Sequence, residues 1–281
     1  MKTFSFVKYE ALGNDFVLID IRHEKFSFSK KQIKKIADRK LGIGCDQVIL
    51  IVSPQSKNSH VSIQFYNADG GEAEMCGNGL RAAAAYLWQH EDMKAKTLVF
   101  ETKAGIRKAS KFGQSIKCEM GAPKILKLPS RLKIISTALK YPIFIDSSVP
   151  HLVFLVAFKN ISEKKLAAFG SYYEYNKIFP KRTNVDFVDI RSAHELHVKV
   201  WERGVGFTRA CGTGAVAAAV ACLSKGLLKN PVTLFFPGGK LLVEWQGSNT
   251  PAYLTGPIKE VFAGVFAARA KPSKDGNKFV N

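Results

Sequence analysis

The chain is predicted to be a mixed α+β protein of two pseudo-symmetric domains, each a mixed β-sheet closing round a central α-helix. Three observations predict this. Two segments of the same make-up, YNADGGEAEMCGNGLRAAAAYLW from Tyr66 and WERGVGFTRACGTGAVAAAVACL from Trp201, run from small polar residues through Cys-Gly-x-Gly into alanines. Apolar residues alternate with polar ones on either side of both segments, which is the pattern of half-buried strands. The length of 281 residues suits two modest domains as well as one large core.

The elements follow in order. HVSIQFYN reads as a strand before the first alanine-rich stretch, and TLVFET as a strand after it. Between them the alanines after Cys76 favour a helix, while the glycines beside the cysteine place that residue near the helix start. The second half repeats the order, with HELHVKVW before the helix that follows Cys211, then VTLFF and KLLVEW. Helices so rich in alanine and apolar residues are expected to be buried on every side. Turn-forming residues at Gly121 to Pro123 and at Gly256-Pro257 divide the chain into domains 1–122 and 123–256, leaving a C-terminal segment 257–281.

Composition narrows the classes of function. With 46% apolar, 11% aromatic and 23% charged residues the chain is expected to fold, the tail from Lys271 to Asn281 set apart. Neither MKTFSFVKYEALGNDF nor any later stretch holds an apolar run suited to a signal peptide or a membrane span, so a cytoplasmic protein without membrane contact is expected. Cysteines 45, 76, 118, 211 and 222 are then expected to be reduced, and no two of them show C-x-x-C spacing. The net charge of +19 is carried by 32 lysines against 10 arginines scattered along the chain, which argues against nucleic-acid recognition, where the arginine fork is favoured.

The two halves also match at polar positions. Asn67 and Glu202 each lie nine residues before their cysteine; Gln47 and Asn184 lie 29 and 27 before; Asn14 and His151 lie 62 and 60 before. Core packing gives no reason for such a recurrence, whereas a duplicated domain with an approximate two-fold axis does. Inverting a carbon centre needs a base on one face and an acid on the other, and paired thiols at two helix N-termini could supply both. The helix dipole is expected to pull a thiol near 8.5 toward neutrality. Gly77 and Gly212 leave room for a substrate carboxylate at backbone N–H groups without helical partners. Arg203 could hold a second carboxylate, while Asn14, Asn67, Asn78 and Asn184 suit an amine and a carboxylate together.

Plainer readings cover other residues. Cys45, Cys118 and Cys222 are expected to be small core residues. Gly42-Ile43-Gly44 and Gly204-Val205-Gly206 lack the third glycine of a dinucleotide fingerprint, no Walker sequence occurs, and no framework for pyridoxal phosphate is evident. His194 and His197 lie three apart on an expected strand and so on opposite faces, which argues against a shared metal. No metal and no cofactor are expected.

These residues resemble the diaminopimelate epimerase family, from GNDF at 13–16 to LTGPIKEVFAG at 254–264, through NADG-x-EAE-x-CGNG-x-R, ERG-x-G-x-T-x-ACGTGA and PGG-x-L. The resemblance implies a homodimer, a C-terminal segment returning to the first domain, and interconversion of LL- and meso-diaminopimelate for lysine and peptidoglycan synthesis. It implies Cys76 and Cys211 as the catalytic pair, with His151 and Glu202 adjusting their protonation. It implies substrate binding by Asn14, Gln47, Asn67, Gly77, Asn78, Asn184, Glu202, Arg203, Gly212 and Thr213. Two positions depart from the pattern. Ser148-Val149-Pro150-His151 stands where many members have Gly-Asn-Pro-His, and Phe207 replaces a common glutamate. A two-cysteine racemase with a looser pocket for acidic amino acids such as glutamate is therefore the alternative. A racemase of the proline type would lack the ERG arginine, and a basic binding protein on an old enzyme scaffold would not need its cysteines.

Overall fold

The computed structural model describes residues 2–24 and 26–268 and divides the chain into two compact units, one running to residue 116 and resuming at 258, the other covering 117–257. The tail from Lys271 lies outside the described residues. In the first unit, strand Lys2–Ala11 pairs antiparallel with Lys259–Ala268 on one side and with Asn14–Asp20 on the other. The sheet continues through Gln47–Val52 (parallel), Val61–Asn67 (antiparallel), Thr97–Thr102 (parallel) and Gly105–Phe112 (antiparallel). A sheet with parallel neighbours needs crossovers, and helices α1 (Lys30–Ala37) and α2 (Gly77–His90) supply them.

The strands that carry these helices are apolar on both faces. In Asn14–Asp20, Val17 and Ile19 pack with Phe26, Phe28, Ile33 and Ile36 in a core beneath α1, while Phe16 and Leu18, on the other face, are equally buried. Helix α2 touches strands 2–11, 14–20, 47–52 and 105–112, so the sheet curls round it.

The second unit repeats the order. Strand Lys140–Asp146 pairs antiparallel with Lys124–Leu126 and with Pro150–Leu155, followed by Asn184–Ser192 (parallel), Glu195–Glu202 (antiparallel), Val232–Phe236 (parallel) and Gly239–Trp245 (antiparallel), with Ala252–Gly256 beyond. Helix α3 (Glu163–Glu174) takes the place of α1, and α4 (Gly212–Ser224) that of α2. The short strands Glu72–Ala73 and Gly206–Thr208 lie antiparallel beside equivalent partners. The expected mixed α+β architecture, with a sheet round a central helix in each half, is thus present element for element.

Burial of α4 is nearly complete: every residue from Ala215 to Cys222 is 1% exposed or less. Alanine is what allows sheet strands to close on a helix from several sides. Helix α2 is buried from Gly77 to Ala85 and then leaves Tyr86 and Trp88 partly exposed.

Candidate active site

Each central helix begins at a cysteine. Cys76 caps α2 with extended backbone (φ −140°, ψ 115°), and its sulfur accepts the Gly79 N–H at 3.4 Å. Cys211 caps α4 with almost the same backbone (φ −136°, ψ 122°), and its sulfur accepts the Gly214 N–H at 3.4 Å. The Gly-x-Gly repeat has a packing cause at its second glycine. A Cβ at Gly79 would stand 2.8 Å from the Phe65 ring, and one at Gly214 would stand 2.9 Å from Asp186 Oδ1.

Around Cys76, the predicted residues of the first unit form a polar chain. Asn78 Nδ2 donates to Asn14 Oδ1 at 3.2 Å, and the fully buried Arg81 donates to Asn78 Oδ1 at 2.8 Å, fixing that amide's orientation. Asn14 Nδ2 in turn donates to Asp46 Oδ2 at 2.8 Å. Burial works against ionisation of neighbouring Asp15, but Arg39 and Lys8 outweigh it and hold the carboxyl well below the usual range. On adjacent strands Gln47 Nε2 donates to Asn67 Oδ1 at 2.8 Å, leaving Gln47 Oε1 buried with no hydrogen-bond partner. A buried amide oxygen without a donor is a ready acceptor for a substrate ammonium.

Around Cys211 the arrangement is tighter. The sulfur lies 3.3 Å from Thr213 Oγ1, which lies 3.1 Å from His151 Nε2. His151 Nδ1 donates to Asp186 Oδ2 at 2.7 Å, and both side chains are fully buried. Asn184 Nδ2 donates to His151 Nε2 at 3.2 Å, while Asn184 Oδ1 accepts the Arg203 N–H at 2.9 Å. The Arg203 guanidinium is exposed and donates to the Lys181 carbonyl at 3.0 Å. Thr208 donates to Glu202 Oε1 at 2.5 Å.

The expectation of a thiol pulled toward neutrality fails at Cys211. Burial, and then the negative charge of Glu202, push this thiol well above its ordinary value, against the hydrogen bonds from Thr213 and Gly214. Burial likewise raises Glu202, although Thr208, His151 and Cys211 oppose the rise. Burial thus favours the protonated thiol at Cys211 and makes the Glu202 carboxyl more basic than usual. Passing the proton from sulfur to Glu202 moves one negative charge a short way without creating a second, which a dry site tolerates far better than free ionisation.

Asp186 escaped the sequence reading. Its signal was an acid in the otherwise apolar run NVDFV, two residues after Asn184. Among the described residues no group of three His, Cys, Asp or Glu side chains gathers to hold a metal ion, and no helix is long and apolar enough to cross a membrane.

The chain thus repeats one fold twice, with a cysteine capping the central helix of each half. Similar folds occur in a PhzF-family phenazine biosynthesis protein from Bacillus anthracis (TM-score 0.73, 14% identity, covering 95% of this chain and 100% of that one). A hydroxyproline epimerase from Agrobacterium vitis, with bound trans-4-hydroxy-L-proline, is also similar (TM-score 0.69, 13% identity, covering 97% and 94%). The diaminopimelate epimerase family model matches residues 6–126 and 143–261. The diaminopimelate epimerases of Teredinibacter turnerae and Nitrosospira multiformis are each 36% identical to this chain, covering 92% of it and 97% and 96% of their own lengths. The chain belongs to the diaminopimelate epimerase family.

Proposed function

We propose that this protein is a cofactor-independent isomerase that interconverts LL- and meso-diaminopimelate, supplying precursors for lysine and peptidoglycan. The observation that carries this reading is the recurrence, in a chain of this family, of a cysteine at the N-cap of each buried central helix. One thiolate removes the α-proton and the other thiol delivers a proton to the opposite face. Burial and the negative charge of Glu202 favour the protonated form of Cys211, which suits it to deliver a proton, and the thiolate left by that delivery is the base in the reverse direction, when the protonated Cys76 is the acid. The N–H groups of the first helical turns, opened by Gly77 and Gly212, offset the charge that develops on the substrate carboxylate. Asn14, Gln47, Asn67, Asn78, Asn184, Arg203 and Thr213 hold the substrate's ammonium and carboxylate groups, and His151 and Glu202 govern the protonation of the thiols.

A homodimer fits this reading. Strand Lys259–Ala268 has Lys2–Ala11 as its partner and exposes Val261, Phe262 and Val265, an apolar edge of the kind that soluble proteins usually cover. The catalytic thiols require reducing conditions, in keeping with the cytoplasm.

The test is solvent deuterium incorporation into LL-diaminopimelate by the reduced protein, beside Cys76→Ala and Cys211→Ala, with L-glutamate in parallel. Exchange with epimerisation at one α-carbon, lost in both variants, is expected. Exchange on glutamate as well would identify the broader racemase suggested by Val149, and exchange on neither substrate would overturn the reading.

A further inference from the structure

The hydrogen bonds of the second unit fix the proton on a buried histidine. The Arg203 backbone N–H can only donate, so the atom of Asn184 facing it at 2.9 Å is the amide oxygen. The opposite atom, Nδ2, therefore faces His151 Nε2 at 3.2 Å, and because an amide NH2 can only donate, Nε2 must be an acceptor. The imidazole proton is then on Nδ1, where Asp186 Oδ2 receives it at 2.7 Å. The charged or titratable groups facing this pair are Glu202 on strand Glu195–Glu202 and Cys211 at the start of α4.

The hydrogen bond that Asp186 makes runs to this imidazole. Its second oxygen, Oδ1, is buried without a hydrogen-bond partner, beside the space that Gly214 leaves by having no Cβ. A carboxylate buried on one strong donor is costly, so its placement calls for a role in orienting that donor. We infer that Asp186 is a positioning residue that locks His151 as the neutral Nδ1–H tautomer, turning the Nε2 lone pair to Thr213 and, through its hydroxyl, to Cys211.

The consequence lies at the thiol. With Nε2 as an acceptor, the Thr213 hydroxyl can donate to His151 and turn its oxygen to the Cys211 S–H, or, while Asn184 occupies Nε2, donate to the Cys211 sulfur. With the proton on Nε2 instead, two donors, Asn184 Nδ2 and His151 Nε2, would oppose each other at 3.2 Å. The amide of Asn184 would have to turn, abandoning the Arg203 N–H. The tautomer of His151 thus links the setting of the 202–203 segment to the hydrogen bonding of Cys211.

The test uses the full chain labelled with 15N-histidine. The six histidines are read by long-range proton–nitrogen correlation, and His151 is assigned by the signal missing from His151→Gln. In the wild-type protein, Nδ1 of His151 is expected to be the protonated nitrogen and Nε2 the bare one. In Asp186→Asn, an isosteric change whose amide can donate to Nδ1, the proton is expected to move to Nε2 and kcat for diaminopimelate to fall about ten- to a hundredfold with KM little changed. A wild-type His151 protonated on Nε2 overturns the inference with no need of a variant. So does an Asp186→Asn protein that keeps the wild-type tautomer and kcat, whatever its Tm. The inference rests on the epimerase reading in its kinetic arm alone: a wild-type protein inactive on diaminopimelate defeats that reading and leaves the tautomer to the nitrogen spectrum.

Discussion

The indole of Trp201 donates to Glu174 Oε2 at 2.8 Å, and the other oxygen of the same carboxylate accepts the Gly204 N–H at 2.8 Å. Glu174 ends α3 and is 2% exposed, so one buried carboxylate grips the chain on both sides of Glu202 and Arg203. Arg182 balances its charge at 3.2 Å. Removing the carboxylate leaves two donors facing nothing, each loss costing about 1–3 kcal/mol. Glu174→Ala is expected to lower stability in urea by about 3 kcal/mol and to raise KM for diaminopimelate, because Arg203 loses its fixed backbone. An unchanged KM in a destabilised variant would show that Glu174 serves packing alone.

Ser148 keeps a backbone conformation suited to glycine, at φ 85°. An L-residue there is strained, since Cβ crowds the following carbonyl. The turn is nevertheless tied down: Ser148 N–H donates to Asp146 Oδ1 at 3.0 Å, and Ser147 Oγ donates to the Thr213 carbonyl at 2.9 Å. Ser148→Gly should relieve the strain at a smaller cost in unfolded-chain entropy, raising stability by about 0.5–1 kcal/mol. Denaturant melts would show this as a higher midpoint at unchanged slope; a lower midpoint would mean that the strain is absent.

The duplication made most of the fold legible, because each half states the other's pattern: alanines after Cys-Gly-x-Gly mark the central helices, and period-two runs mark the strands around them. What a single sequence hid was pairing across the sheet. Asp186 lies 35 positions from His151, and nothing local says that strands Pro150–Leu155 and Asn184–Ser192 lie side by side. Helix capping by Cys211 was legible and its pKa was not, because burial and the neighbouring Glu202 outweigh the helix end.

Phe207 shows the same limit. As a departure from the family pattern it reads as a lost charge near the second helix. Its ring lies 5.3 Å from Trp201 at 82°, and 6.4 Å from Phe187, half-buried against the core cluster beneath α3. Edge-to-face pairs of this kind contribute about 0.5–1.5 kcal/mol beyond the area they bury. Phe207→Glu is therefore expected to cost about 2–3 kcal/mol, packing and desolvation together, and to leave the ratio of diaminopimelate to glutamate exchange unchanged. A sharp gain in selectivity for diaminopimelate would return this position to the pocket.

Alkaline pH should destabilise this protein through its buried thiols. Burial raises Cys45 and Cys222 from 9.0 to about 12 each, and raises Cys211 in the same direction. Between pH 9 and 12 the folded chain therefore holds protons that the unfolded chain releases, so stability is greatest below pH 9 and falls as pH rises through that window. For one such thiol the loss at pH 10 is about 1.4 kcal/mol relative to neutrality. Cys222 is the cleaner probe, since desolvation alone shifts it and it lies inside α4 away from the capping sulfur. Cys222→Ala removes a buried sulfur and should cost about 1–2 kcal/mol at pH 7.5. Its further loss between pH 7.5 and pH 10, measured by urea denaturation, should be smaller than the wild-type loss by about 1.4 kcal/mol. An equal alkaline loss in both proteins would mean that the Cys222 thiol does not ionise on unfolding in this range, and that other groups set the alkaline limit.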